Sequence, residues 1–600
     1  MGPAMNTPTP RAWNAALVLL FVALVVLVAA GLADLSLAQK LFVHTTYFFL
    51  MATLLCWAGT VLRAGQGGSR AAVMAWVREN WPGLVVAGIV TIVAWRAVHP
   101  GLWILSDEAN LVGTSKNLFA SRAATFTVSG KSYYDTFWDI DVAIDRRPAL
   151  FPFLVSLVHV VRGYSYENAF VLNLLLLPAF VLVAYRLAKS LGGETFAVVA
   201  SLLVVAHPIT LITVRSGGFD FLALFFSLLI LKSLLDHLRE PTAARLAMVW
   251  MNLCMFAEIR YESALFIVPV VAALLAFRLV NASLLRPHAF IYALTPAYLA
   301  PRIWQAALRG NVPELEPGVT PFGLRNFVNN AREYFRPVLS PLNGYPAHAG
   351  IVIALGLVGC LLWLWSRRRE LRARNWKDPR LAGAAFVAAW MLLQAIVVFS
   401  YGWGRAQSPS AARLFIAVDT FFSFFAAWAL TVSLRRWRAF DQTGTLGGFP
   451  DPPATTPLGK AQLRPRAAVA VAAAVLAMHV PIASQQRFLN RLTQARESAT
   501  AWRFFDSLHE RRILIVTDRP NLFTIMDYGA MSFESARQDP YLFEAFARHL
   551  FYDIYVVQQI RLSTNSPFPG YELWPERRFQ TVLEYQNDAD VLIRISRLER

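Results

Sequence analysis

Charge is scarce in this sequence. Of 600 residues only 16% are Asp, Glu, Lys or Arg, where ordinary soluble domains carry about 25%. The remainder is 56% hydrophobic, with a mean hydropathy of +0.44. Several soluble domains are thereby excluded, and most of the chain belongs in lipid. Acid is scarcer than base, 38 residues against 56, for a net charge of +18. In a soluble protein that surplus would suggest nucleic acid; in a chain this apolar it asks which side of a bilayer holds the positive loops, and no nucleic-acid partner is expected. Cysteine is nearly absent: Cys56, Cys254 and Cys360 sit in separate apolar runs, which excludes a disulfide framework and a cysteine zinc site. HExxH, GxSxG and CxxC patterns are missing too. Gly130-Lys131-Ser132 resembles the end of a phosphate-binding loop, but Thr125 stands where the first glycine is required and no strand is expected before it. The ten histidines, His207 included, are scattered and read as structural or interfacial rather than as ligands.

What is present is a succession of apolar runs. A spanning helix needs roughly 20 such residues. Trp13 to Ala33 meets this and lacks the small-residue cleavage site of a signal peptide, so it reads as a retained helix. Leu41 to Leu62, Trp81 to Val98, Tyr166 to Leu187, Thr195 to Val214, Phe219 to His237 and Ala243 to Ala257 follow. Ser263 to Leu279, Pro287 to Ile303, Ala349 to Trp365, Leu381 to Phe399, Leu414 to Leu434 and Val469 to Ile482 complete a set of about thirteen expected spans.

Pro148 to Val161 is apolar but only about 14 residues long, which suits a helix lying flat at the interface. With that segment flat and the N-terminus cytoplasmic, the basic loops Arg63 to Arg78, Arg367 to Arg380 and Arg435 to Arg466 all fall on the cytoplasmic side, as the positive-inside rule asks. Four regions then lie outside: Pro100 to Tyr164, the turn Arg215 to Asp220, Gln305 to His348, and everything after Pro481. The expected organisation is residues 1–80 as two helices and a basic loop, 81–434 as a membrane domain with a large outer loop at 99–165, and 435–466 as a flexible cytoplasmic loop. Residues 467–483 are the last span, and 484–600 a small extracytoplasmic α/β domain whose strands are expected at Ile513 to Thr517, Ile554 to Gln558, Thr581 to Tyr585 and Val591 to Ile595.

The outer regions hold the candidate chemistry. The first loop carries Asp107, Glu108, Asp135, Asp139, Asp141 and Asp145. Adjacent carboxylates at a bilayer boundary repel and are partly desolvated, which raises the pKa of at least one. Such a group accepts a proton from a hydroxyl or binds a divalent cation; a solvated loop pair is the plainer alternative. Arg147, before Pro148, lies at headgroup depth, where a guanidinium grips a phosphate or pairs with Asp141 and Asp145. Asp220 opens a span and also complements its helix dipole. Glu258, Arg260 and Glu262 are charges between apolar runs, which face a cavity or one another. Arg405 and Arg413 bracket another outer turn. Tyr133, Tyr134, Phe137 and Trp138 suit stacking on a sugar ring or ordinary interfacial anchoring.

These marks together resemble the membrane-embedded glycosyltransferases of the GT-C superfamily, over roughly Trp81 to Leu434: the acidic pair Asp107-Glu108, Arg147-Pro148 opening the flat helix, Asp220 after the second outer turn, and Arg413 leading an aliphatic string. Among them the chain is similar to the bacterial protein-mannosyltransferase and aminoarabinose-transferase group and to lipopolysaccharide-core glycosyltransferases. It departs from them at Pro148-Ala149, where a double proline is common, and at Leu414, where a tyrosine is. The resemblance implies an α-helical polytopic membrane protein of GT-C type. It implies a sugar donor on a polyprenyl phosphate, a glycan, lipid or protein acceptor, and inverting attack with Asp107 as general base. Arg147, Arg260, Arg405 and Arg413, with Lys116, would hold the lipid phosphate. Glu108, Asp220 and Glu262 would orient substrate, with Glu108 and Asp220 as candidates for a divalent cation such as Mg or Mn. The alternative is a transporter or flippase of lipid-linked or anionic solutes, which should carry charges at mid-membrane and paired broken helices in inverted repeats.

Overall fold

Lipid offers no water to pair backbone N–H and C=O groups, so the long apolar runs can be satisfied only as helices. A computed structural model of the chain describes residues 10–64, 70–133, 136–309, 320–339, 347–372, 379–402, 405–406, 411–443, 465–485, 495–588 and 590–599. Helices α1 (Pro10–Ala33), α2 (Leu35–Ala64) and α3 (Arg70–Ala97) lead to α4 (Leu105–Ala120), a hairpin of β1 (Phe126–Tyr133) and β2 (Thr136–Ala143), and α5 (Leu150–Arg162). Next come α6 (Asn168–Gly192), α7 (Glu194–Leu203), α8 (Pro208–Val214), α9 (Asp220–Arg239) and α10 (Ala243–Ala257). A 3-10 turn, Glu262–Phe266, runs into α11 (Ile267–Ala276), followed by α12 (Ala282–Leu285), α13 (Ala289–Ala293), α14 (Thr295–Leu308), α15 (Leu324–Leu339), α16 (Gly350–Arg372) and α17 (Pro379–Ser400). A second 3-10 turn, Ala412–Phe415, opens α18 (Ile416–Thr443), and α19 (Pro465–Ser484) closes the membrane part.

Each of the thirteen predicted segments contains helix, but fewer qualify as spans: α10 and α11 are 15 and 10 residues long, short of the roughly 20 that a crossing needs. Among the described residues seven are long and apolar enough to cross a membrane, or eight if the bent pair α7 and α8 is one span. The protein is a multi-pass membrane protein. Two predicted spans are broken for a visible reason. Thr195 to Val214 bends by 77° between α7 and α8, where Pro208 starts the second piece; Pro287 to Ile303 divides into a 3-10 turn, α13 and α14, with Pro287 and Pro296 each removing a backbone donor. The segment expected to lie flat is α5, 13 residues, about 20 Å at 1.5 Å per residue, well short of the roughly 30 Å of a bilayer core. Of the loop expected at 435–466, the residues up to Thr443 continue α18 and Pro465 opens α19, while 444–464 lie outside the described residues.

The C-terminal region holds α20 (Ala495–Ser507), β3 (Ile513–Val516), α21 (Asn521–Thr524), β4 (Gly529–Met531), β5 (Asp553–Arg561), β6 (Ser566–Pro567), β7 (Phe579–Asp588) and β8 (Val591–Leu598). Each of the four predicted strands is present. Their sheet, however, does not end with the C-terminal region: its order is β2-β1-β4-β3-β5-β8-β7, so the hairpin between α4 and α5 extends it. Strands β3, β4 and β5 pair in parallel, and β1 joins β4 antiparallel through Gly130 and Ala530. The hairpin was not foreseen because Tyr134 and Asp135, between its strands in sequence, include no glycine or asparagine to announce a turn; both lie outside the described residues.

Side chains reinforce this join. Lys116 on α4 donates to the Thr524 carbonyl at 2.8 Å and pairs with Asp527 at 2.7 Å; Asn521 donates to Asn110 at 2.6 Å; Tyr164 donates to the Ile525 carbonyl at 2.5 Å; Lys131 pairs with Asp539. Gly130 is needed here because a Cβ would lie 2.3 Å from the Phe137 ring. Gly130→Val is therefore expected to cost about 1–3 kcal/mol by overpacking and to raise hydrogen exchange in β1, β2 and β4 together. Protection unchanged in β4 would show that the hairpin does not support the C-terminal sheet.

Candidate active site

Helix α4 begins at Leu105 without a capping side chain on Ile104; instead Glu108 reaches back one turn to accept from the backbone N–H of Trp103 at 2.5 Å and of Ile104 at 3.3 Å. Asp107 and Glu108 thus sit in the first turn, where the positive end of the helix dipole favours carboxylates. Arg147 stands three residues before α5 in a strand-to-helix link. Gln305 on α14 holds that link, its amide donating to the carbonyls of Asp145 (2.8 Å) and Arg147 (2.6 Å). Asp220 is the first residue of α9, and the turn before it is fixed by Asn173, which donates to the carbonyls of Ser216 (2.9 Å) and Gly218 (2.8 Å). Gly218 allows the close approach, since a Cβ would lie 3.2 Å from Glu108 Oε1 and 3.4 Å from an Asp220 oxygen. Arg260 lies between α10 and the first 3-10 turn, and Arg413 in the second.

These residues form one alternating chain of charge. Asp145 pairs with Arg147 at 2.8 Å; Arg147 also pairs with Asp107; Asp107 pairs through its other oxygen with Arg413; Arg413 pairs with Asp220 at 2.9 Å; Asp220 pairs with Arg260; and Arg260 pairs with Glu262 at 2.5 Å. Five separated segments are tied together by it. Asp220 and Glu108 are 1% exposed and Asp145 4%, whereas the Asp107 side chain is 23% exposed. Of the three aspartates in this charge network, Asp107 is the most exposed.

Burial pushes the Asp107 carboxyl upward, but the guanidiniums of Arg413 and Arg147 outweigh it and hold the group below its ordinary value, hence ionised at neutral pH. Glu108 goes the other way. Burial raises it to about 8, against the opposing pull of Arg413 and two backbone N–H groups. Asp145 is likewise raised by burial, in spite of Arg147. A group whose folded pKa is raised binds its proton more tightly in the native state, so the stability it contributes is full below the ordinary value of 4.5 and is lost as pH rises through about 8. Wild-type protein is therefore expected to lose thermal stability between pH 5 and 8.5, by about 1–4 kcal/mol. Glu108→Gln, which mimics the protonated form, should flatten that slope. A variant retaining the full slope would assign it elsewhere.

Two predicted residues stand apart. Lys116 is engaged with Phe137 and the α21 region, where it clamps the C-terminal sheet to α4, and so is not placed among the arginines. Arg405 is exposed, and among the described residues it makes no ion pair. Phe137 packs on Lys116, and Trp138 is exposed on β2. Gln305 and Asn173, which position Arg147 and Asp220, carried no sequence signal beyond being amides in apolar runs.

A divalent cation does not fit the two acids proposed for it. Each Asp220 oxygen already takes a guanidinium, and Glu108 is turned back onto the backbone. Metal-type ligands gather instead at His207, His348 and Asp419, all fully buried. There Ala349 N–H donates to His207 Nδ1 at 3.1 Å, and His348 Nδ1 lies 2.8 Å and Tyr334 Oη 2.7 Å from Asp419 oxygens, so these ligand atoms already have hydrogen-bond partners.

No protein-family model and no curated protein matches the sequence. Among solved structures the chain is similar to ArnT from Cupriavidus metallidurans bound to undecaprenyl phosphate. The two share 15% identity, 87% of this chain and 98% of that one, and a TM-score of 0.51. The apo state of the same protein aligns over the same shares at 14% identity with a TM-score of 0.51. These likenesses establish a shared fold over most of both chains.

Proposed function

We propose that this chain is a GT-C-type glycosyltransferase that takes a sugar from a polyprenyl-phosphate donor and passes it to a hydroxyl of an acceptor glycan, lipid or protein. The observation that carries the reading is the reachable carboxylate of Asp107 held between two arginines in a fold shared with a protein crystallised with undecaprenyl phosphate. In the reaction an acceptor oxygen attacks the anomeric carbon, the sugar–phosphate C–O bond breaks, and the lipid phosphate leaves with its electron pair on the opposite face. Asp107 takes the hydroxyl proton. Arg147, Arg413 and Arg260 offset the charge developing on the phosphate in a water-poor site.

Both Asp107 oxygens are held by guanidiniums, which makes it a weak base. A lipid phosphate entering between Arg147 and Arg413 would exchange with that carboxylate for their donors, freeing Asp107 as the donor arrives. On this reading the site faces the extracytoplasmic side, with the N-terminus cytoplasmic and the C-terminal sheet outside, as the basic loops require. Binding of polyprenyl phosphate to the full chain in nanodiscs, followed by native mass spectrometry, tests the assignment. Arg147→Gln is expected to weaken binding about tenfold to a hundredfold, the worth of a charge-assisted bond; unaltered affinity would remove Arg147 from the phosphate site.

A further inference from the structure

Helix α15 (LRNFVNNAREYFRPVL) lies in the loop between α14 and α16 and is anchored along one face only. Asn330 donates to the carbonyls of Phe399 (2.8 Å) and Tyr401 (2.9 Å), and Tyr334 donates to Asp419 on α18. At about 100° per residue, the opposite face divides into two adjoining stripes. Leu324 (80% exposed), Val328 (57%) and Leu339 (87%) fall within one sector of about 60°. Arg332, Arg325 and Arg336 follow in the next, all exposed, and among the described residues none is in an ion pair.

A helix in water would not leave three large aliphatics uncovered in one row, and a helix packed in protein would not leave three arginines beside them without an ion pair among the described residues. An interfacial helix does both: its aliphatic stripe sinks into the acyl boundary while the adjoining cations meet headgroup phosphates. We infer that α15 is an anionic-lipid-binding helix, seated in the leaflet beside the candidate site, with Arg325, Arg332 and Arg336 selecting phospholipids of net negative charge. The partner is the leaflet itself rather than the reaction's lipid donor, because the three guanidiniums are spread along the helix surface instead of converging on one point. Asn330 and Tyr334 tie the seated helix to the two segments that flank Arg413, the end of α17 and the start of α18. The inference stands independently of the glycosyltransferase reading.

The experiment places a photo-cross-linking benzophenone amino acid at position 328 of the full chain in vesicles of mixed phosphatidylcholine and phosphatidylglycerol, and identifies adducts by mass. The same amino acid at position 361, an exposed leucine of α16, serves as the lipid-facing control. Position 328 is expected to capture lipid, with phosphatidylglycerol over-represented about tenfold relative to the bulk mixture. Combining Arg325→Gln, Arg332→Gln and Arg336→Gln should bring that ratio back to the bulk value while lipid capture persists. Capture of protein, or of nothing while position 361 captures lipid, would overturn the inference. Equal capture of both lipids by the wild-type row would overturn the charge selection.

Discussion

Asp107→Asn is expected to slow sugar transfer about 10²- to 10⁴-fold, the usual worth of a positioned general base, while polyprenyl phosphate binds at least as tightly as to wild type. The second half of that expectation follows from the geometry. Asp107 occupies donors of both Arg147 and Arg413, so an incoming phosphate must displace a carboxylate; an amide in its place competes less well for the same guanidiniums. Loss of turnover with retained or improved binding separates a base from a structural residue, whose removal would damage both. Transfer by Asp107→Asn at the wild-type rate would sink the proposed base, and a parallel loss of binding would recast Asp107 as a positioning residue.

Arg413→Gln should have the larger effect on the protein as a whole. Arg413 is the central cation, joining Asp107 to Asp220, and Asp220 is 1% exposed. Removing one partner of a buried pair leaves the other charge uncompensated, at a cost of about 3–5 kcal/mol; the partial exposure of Asp107 and the second bond from Arg260 to Asp220 favour the lower end of that range. Transfer should fall about 10²- to 10³-fold for the lost stabilisation of the leaving phosphate. The double variant Arg413→Gln, Asp220→Asn discriminates the two effects, since it removes the stranded charge and should regain much of the stability in thermal unfolding with no recovery of transfer. Recovery of both would mean that Arg413 acts only by holding Asp220. Arg413→Lys should be only partly active, because one ammonium does not reproduce the guanidinium fork that spans two carboxylates.

Much of this site was legible in the sequence because charge is so rare in it. Against a largely apolar background, Asp107, Arg147, Asp220, Arg260 and Arg413 stand out, and the positive-inside rule alone brings their loops to one face. Their pairing was not legible, since which acid meets which arginine depends on how α4, α9 and α18 pack. Lys116 is placed elsewhere by the fold. Its spacing on α4, nine residues after Asp107, turns it away from the arginines and toward a C-terminal segment more than 400 residues distant in sequence. The hairpin β1–β2 was hidden for the same reason: Gly130 and Lys131 read as a failed phosphate loop until the β4 strand that they pair with is in view. Helix breaks at Pro208, Pro287 and Pro296 could have been read from proline alone, but the hydropathy of their segments masked them.

The central event of the proposed reaction is the breaking of a sugar–phosphate bond with Asp107 as base. The most direct measurement is product analysis by mass spectrometry and nuclear magnetic resonance of the purified full chain in nanodiscs, supplied with a panel of polyprenyl-phosphate sugars and acceptor extracts. The predicted result is consumption of one donor, release of free polyprenyl phosphate, and a product sugar of inverted anomeric configuration, all abolished by Asp107→Asn. A donor that crosses from one leaflet to the other intact, with no polyprenyl phosphate released, would contradict it and identify the arginine row as the lining of a transport path.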